Sequence, residues 1–303
     1  MNETSRPPAS VELEVLAYYR RNWDRIVRCY DLDAHGYPID PAWYRRRLYR
    51  EFLDREKPKR VFDVGCGAGD TVMDVLERGQ QGYGIEPVPE LVEAGRDLLR
   101  RKGHDPERIR QGDLSHLAER PAELYDCVSL LSVLPAIPLD AWEAAHTNIA
   151  SNIRPGGWFV AAYRNHLFDL YTFNSFTMEF YDATLWEPEA CAGLRNESTL
   201  AALKSLVRHP DVPGAFHTNS PDKAFGRLQR PKSNPLMLPA YLARFGLRVE
   251  RTRFCHFHCV PPLLNERIAG VQDINHRMEL SLADDWRGNF MAAMVMIEAR
   301  KQG

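Results

Sequence analysis

Val61-Phe62-Asp63-Val64-Gly65-Cys66-Gly67-Ala68-Gly69-Asp70 carries the reading of this chain. An apolar run ends in an acid, a glycine stands at every second position, and a polar residue able to open a helix follows. A buried strand leading into a backbone-exposed turn has this pattern. Glycine has no Cβ, so a ligand can approach main-chain N–H groups closely there. The spacing is G-x-G-x-G. The dinucleotide fingerprint G-x-G-x-x-G, which grips a pyrophosphate at a helix N-terminus, is not met. No Gly-Lys-Ser or Gly-Lys-Thr follows, which excludes a P-loop. An acid at the mouth and the shortened spacing suit a nucleoside with a cationic tail better than a pyrophosphate.

The segments that follow agree. Gly82-Tyr83-Gly84-Ile85-Glu86-Pro87 reads as a second strand ending in an acid. Glu86 lies about 20 residues past the glycines, where nucleotide-binding sheets set a carboxylate on ribose hydroxyls. A carboxylate accepts from both hydroxyls of a diol. Ile109-Arg110-Gln111-Gly112-Asp113-Leu114 reads as a third strand, with Asp113 placed to accept from an exocyclic amine. Each piece has a plainer reading: a structural turn, a solvated strand cap, Gly-Asp turn chemistry.

Five motifs in order resemble the class I S-adenosylmethionine-dependent methyltransferases. Asp63-x-Gly65-x-Gly67-x-Gly69 matches the family's first motif, Glu86 its ribose-binding acid and Asp113-Leu114 its adenine-binding pair. Tyr125-Asp126-Cys127-Val128-Ser129-Leu130-Leu131 matches the fourth strand. Asn152-Ile153-Arg154-Pro155-Gly156-Gly157-Trp158-Phe159-Val160 matches the turn and strand after it. The resemblance implies an α/β fold, a doubly wound seven-stranded sheet, mostly parallel with the last strand antiparallel. It implies S-adenosylmethionine as methyl donor, held by Asp63, Gly65, Cys66, Gly67, Gly69, Glu86, Pro87, Asp113, Leu114 and Leu130. Ser129 to Val133, after strand four, should border the transferred methyl.

Composition sets outer bounds. A chain of 303 residues fits one large domain or a core with appendages. A net charge of −2 argues against a nucleic-acid binder dominated by phosphate contacts. Arg45-Arg46-Arg47 reads as a solvated helix face. No apolar run reaches the ~18–20 residues of a membrane span, and the polar, proline-bearing N-terminus is unlike a signal peptide. Six cysteines do not make a disulfide framework in a chain this long, so a reduced, cytoplasmic setting is the default. Arginine far outnumbers lysine, as in GC-rich bacterial genomes. Oligomeric state is not encoded legibly; a homodimer is one option.

Residues 1–57 read as a helical cover, with helices over 11–30 and 40–54. Residues 58–165 and 241–303 form the core, with strands near 60–64, 82–86, 108–112, 125–131, 157–163, 246–259 and 291–299. Residues 166–240 read as an inserted cap over the carboxyl ends of the strands, where open α/β sheets bind ligands. The stretch from Leu167 to Tyr181 is dense in aromatics, including Tyr171 and Phe176, which with Arg164 and Asn165 are the expected substrate contacts. A helical appendage with its own small core is the competing reading.

Methyl transfer is mainly a positioning problem, because the donor already carries an activated methyl group. A hydroxyl or ammonium acceptor also needs a base, whereas a carboxylate needs none. In Cys255-His256-Phe257-His258-Cys259, a strand's period of two puts both histidines on one face and both cysteines on the other. That separation argues against a joint zinc site, and no metal is assigned. His256 and His258 are candidates for base or substrate contact, against ordinary packing. Arg164-Asn165-His166 follow strand five to the same edge: Arg164 suits an anionic group, and His166 is a third candidate base. The expected activity is methylation of an oxygen or nitrogen on a small molecule. The rivals are a non-catalytic S-adenosylmethionine-binding sensor or partner subunit, and an NAD-dependent oxidoreductase.

Overall fold

The computed structural model describes residues 41–114, 123–131, 133–134, 137, 139–207, 232–265 and 267–303. The expected helix over 11–30 lies outside them. Seven strands form one sheet: β1 (Arg60–Val64), β2 (Gln81–Glu86), β3 (Ile109–Gln111), β4 (Tyr125–Leu130), β5 (Ile153–Arg164), β6 (Leu247–Phe257) and β7 (Ala292–Lys301). Their order is β3-β2-β1-β4-β5-β7-β6. The first five run parallel, and β7 is antiparallel to both β5 and β6. β6 therefore runs with β5 and ends at the same edge as β1, β2 and β4. The glycine turn, the cap, His256 near the end of β6 and His258 just after it all sit along that edge.

The central strands are buried on both faces, as parallel strands between helices must be. α1 (Pro41–Glu56) covers one face. Tyr44, Leu48, Tyr49, Phe52 and Leu53, at helical spacing, pack on Val61, Cys127, Trp158, Val160, Cys255, Met294 and Met296. Each such side chain contributes on the order of 2 kcal/mol by leaving water. α4 (Trp142–Asn152) and α8 (Leu238–Ala243) cover the other face, over Phe62, Val128, Phe159, Ala161, Val295 and Ile297. α2 (Asp70–Leu76) and α3 (Pro89–Arg101) flank β2 and β3 through Val72, Leu76, Val92 and Leu99.

The arginine triplet is not the solvated face its sequence suggested. Arg46 forks onto buried Asp74 of α2, with Nε to Oδ2 at 2.6 Å and Nη2 to Oδ1 at 2.9 Å. It also reaches Asp70 Oδ1 at 3.3 Å. Arg47 donates to the Glu279 carbonyl at 2.8 Å, on α9 (Val271–Ser281). These partners on α2 and α9 lie 24 to 232 residues away in the chain, although Arg47 also pairs with Glu51, one helical turn on, at 2.9 Å.

The inserted segment is clasped where it leaves the core. Asn165 bridges Ser233 in parallel register, Ser233 N donates to the Arg164 carbonyl at 2.8 Å, and His166 N donates to the Ser233 carbonyl at 3.0 Å. Between these points the described part holds α5 (Asp169–Thr172), α6 (Ser175–Phe180) and α7 (Glu197–Leu206). α6 opens with a capping box of Asn174 and Thr177. α10 (Gly288–Met291) leads into β7. Among the described residues no helix is long and apolar enough to cross a membrane.

Candidate functional site

The glycine turn joins β1 to α2. Gly65, Gly67 and Gly69 all have positive φ, at 68°, 55° and 85°, a region L-residues avoid. Two are also dictated by packing. A Cβ on Gly65 would stand 2.0 Å from Val133 Cγ2, and one on Gly69 would stand 2.6 Å from Ile109 Cδ1. Above Gly67 there is open space instead, with nothing within 4 Å. The middle glycine is therefore the one that leaves backbone open to a ligand.

Glu86 closes the turn from the end of β2. Its Oε2 accepts from Gly67 N at 3.0 Å and its Oε1 from Val88 N at 3.1 Å. Burial pushes this carboxyl up to about 7, against the pull of those two N–H groups. Asp63, at the end of β1, is likewise pushed up by burial to about 6, against hydrogen bonds from Ser129 and Thr71. Each acid still has a lone pair available for a donor or cation in the cleft.

Beside the turn lies a cleft of about 40 Å³ lined by Ala42, Arg45, Arg46, Asp63, Gly65, Cys66, Gly67, Asp70, Thr71 and Leu131. Three of these belong to α1, part of the helical cover expected over residues 1–57. Asp113 follows β3, where Gly112 N donates to the Glu86 carbonyl at 3.1 Å. Leu114 packs against the core beside it. Pro87 is exposed next to Glu86. Leu130 is wholly buried among core side chains, so its side chain is not presented to a ligand. The turn, Glu86 and the loop after β3 share one edge, as expected for a bound nucleoside.

The histidines fall elsewhere. β6 lies four strands from β1, about 19 Å across at the usual spacing. His256 and His258 are thus removed from the cleft. The expected alternation also fails at His256, whose backbone is left-handed at φ 62°. Glu279 on α9 holds that bend: its Oε1 accepts from Phe257 N at 2.6 Å, and His256 N also donates to its carboxyl. His258 packs on Phe168 with ring centroids 5.1 Å apart, and its Nδ1 lies 3.3 Å from Asn265 Nδ2. Burial pushes it down to about 4. Among the described residues no three His, Cys, Asp or Glu side chains converge as a metal site needs.

At the end of β5, His166 sits edge-on to Phe180, with its Nε2 3.7 Å from Asp169 Oδ2. Burial and the Lys232 ammonium hold it near 4, so its imidazole is neutral. Lys232 Nζ pairs with Asp169 at 2.7 Å and lies 3.7 Å over the Phe176 ring. Burial lowers Arg164 to about 10 despite Asp169 nearby. Asn165, expected at the substrate, is consumed by the fold. Its Nδ2 donates to the carbonyls of Gly288, Asn289 and Ala292, and its Oδ1 accepts from Leu167 N. Tyr171 is likewise an anchor, donating to the Cys259 carbonyl at 3.0 Å.

A family model described as a methyltransferase domain matches residues 41–209. Protein-L-isoaspartate O-methyltransferase of Myxococcus xanthus is 28% identical over 124 residues, 41% of this chain and 54% of that protein. Ubiquinone biosynthesis O-methyltransferase of Paracidovorax citrulli is 24% identical over 131 residues, 43% and 54% of the two chains. The chain thus spans about half the length of these curated relatives. The crystal structure of magnesium protoporphyrin IX methyltransferase from Synechocystis PCC 6803 with bound S-adenosylhomocysteine superposes with a TM-score of 0.55 at 14% identity. That match covers 96% of this chain and all of the other, and the likeness is one of fold.

Proposed function

The chain belongs to the methyltransferase-domain family, whose model matches more than half of it, and on that premise we propose that it methylates an oxygen or nitrogen of a small molecule. Its methyl donor is S-adenosylmethionine, as in the class I enzymes of this family. When bound, that cofactor supplies a sulfonium-activated methyl group. Every other contribution belongs to the protein.

The observation that carries the reading is the Glu86 carboxylate held against Gly67 N–H beside the open face of the glycine turn. These residues fit the cofactor. Glu86 would accept from the ribose diol, Asp113 from the adenine amine, and Asp63 would face the cationic end. Arg45 and Arg46 of α1 wall the cleft.

The acceptor would lie under the cap at the end of β5, beside His166, Arg164 and Phe176. His166 held near 4 is a poor proton acceptor at neutral pH. The reaction would rest on positioning an acceptor that is already deprotonated, such as a carboxylate or free amine. The free, mostly buried cysteines among the described residues suit a reducing, cytoplasmic setting.

The test is calorimetry with S-adenosylhomocysteine and NAD, followed by transfer of labelled methyl to a panel of small carboxylates, amines and phenols. Micromolar binding of the first ligand and transfer to at least one acceptor are expected. Binding of NAD alone would sink the reading. Cofactor binding without transfer to any acceptor would make the protein a sensor.

A further inference from the structure

Asp63 is only 4% exposed, and its carboxyl is held by donors from two elements, one of them backed by a third. Ser129 Oγ, on the adjacent β4, donates to Oδ1 at 2.6 Å, and Thr71 Oγ1, in the first turn of α2, donates to Oδ2. Tyr49 O–H, on α1, donates in turn to Ser129 Oγ at 3.2 Å. Asp63 and Ser129 are register partners across β1 and β4, so the sheet itself fixes their approach.

The chain of donors has one sense only. Ser129 has a single hydroxyl proton. Spending it on Asp63 leaves its lone pairs for Tyr49, whose buried hydroxyl sits otherwise in an apolar helix face against Phe52. Two donors converge on the two oxygens of Asp63, an arrangement that matches a carboxylate and conflicts with a carboxylic acid. Burial favours the protonated form, and the Ser129 and Thr71 hydrogen bonds oppose it.

We infer that Ser129 and Tyr49 are positioning residues for the methyl donor: they hold the Asp63 carboxylate oriented toward the donor's cationic end and tie that carboxylate to the docking of α1. The inference rests on the proposed reading of the cleft. Tyr49 spans the interface between α1 and the sheet, so the helix that walls the cleft also sets the acid inside it. The other groups facing Asp63 are Arg45 on α1, Asp74 on α2, Glu86 on β2 and the thiols of Cys66 and Cys127, which burial keeps neutral.

The test is calorimetric binding from pH 5.5 to 8.5 with two ligands, S-adenosylhomocysteine and 5′-methylthioadenosine, which lacks the amino-acid tail. Parent, Ser129→Ala and Tyr49→Phe are compared. Glu86 titrates in all three, so the readout is the difference from the parent. Ser129→Ala should bind S-adenosylhomocysteine about threefold more weakly near pH 6.5 and nearly tenfold at pH 5.5, recovering most affinity by pH 8.5, because the loss of a hydrogen bond moves the ionisation midpoint up from about 6 by roughly one unit. Tyr49→Phe should shift the same way by a smaller amount. Binding of 5′-methylthioadenosine should not change. An unaltered pH profile for S-adenosylhomocysteine, or equal weakening of both ligands at every pH, would overturn the inference. If Ser129→Ala does not fold, Tyr49→Phe, which removes one oxygen atom, decides on the same readout. Failure of the parent to bind either ligand would refute the proposed function itself, a result distinct from these.

Discussion

Glu86 Oε2 accepts the Gly67 amide at 3.0 Å, so the acid at the end of β2 and the open middle of the glycine turn form one rigid unit. Glu86→Ala should weaken S-adenosylhomocysteine binding by about 1–3 kcal/mol, the usual scale for a lost charge-assisted hydrogen bond. Calorimetry on the folded variant reads this directly. Unchanged affinity would remove Glu86 from the ribose.

The same carboxyl makes cofactor affinity depend on pH. Glu86 sits at about 7 in the free protein, and a diol needs its ionised form. Affinity should level off above about 7 and fall by up to about tenfold per pH unit below it. Glu86→Gln should flatten that limb of the profile. A parent profile that is flat from pH 6 to 8 would contradict the assignment.

Arg46 joins α1 to the buried Asp74 through two hydrogen bonds. Arg46→Met removes the fork and leaves a buried carboxylate short of its partner, a loss of about 3 kcal/mol for a buried pair. Urea unfolding measures the stability. Because Arg46 also lines the cleft, cofactor affinity should drop too. A variant as stable as the parent would show that Arg50, 2.9 Å from Asp74, suffices alone.

His256 adopts a left-handed backbone that suits glycine. His256→Gly should therefore be more stable than His256→Ala by about 1 kcal/mol, read from paired denaturation curves. Both, like His258→Ala, should keep S-adenosylhomocysteine affinity within about twofold, since β6 lies far across the sheet. A large affinity loss in either would bring these histidines back to the site.

Acid should unfold the protein early. His166 and His258 are held near 4, and burial also lowers His146, whose ring is enclosed by Trp142, Phe159, Tyr163, Tyr241 and Phe245. Folded-state values below the ordinary ~6.5 favour the native state above that pH, and the contribution is lost as pH falls toward 4. Asp63, Glu86 and Glu279 act oppositely: their raised values stabilise the fold at low pH, and that part fades as pH rises through about 6 to 8. The melting temperature should peak between these limbs. Replacing His146 with Gln should blunt the acid limb.

The order of strands and the glycine turn were legible in sequence because both are local. An apolar run, a positive-φ glycine and a terminal acid announce themselves within ten residues, and seven strands appear near their expected places. The edges of elements shifted where packing intervened. β5 begins at Ile153 instead of 157, and β6 stops at Phe257 instead of Cys259. Asp63 and Glu86 stand beside the glycine turn, where residue type and spacing put them. Asn165 and Tyr171 were read as substrate contacts because a polar residue after a strand looks the same whether it meets a ligand or a backbone carbonyl.

By itself, the sequence determined the methyltransferase fold, the glycine turn and the acid Glu86, since each is encoded by residues that are neighbours in the chain. Only the tertiary structure decided that Arg46 is a buried clamp, that His256 bends out of strand geometry, and that Tyr49 reaches Asp63 through Ser129. Those outcomes depend on partners 28 to 80 residues away or on the far side of the sheet. Packing brings such groups together, and burial sets their charge.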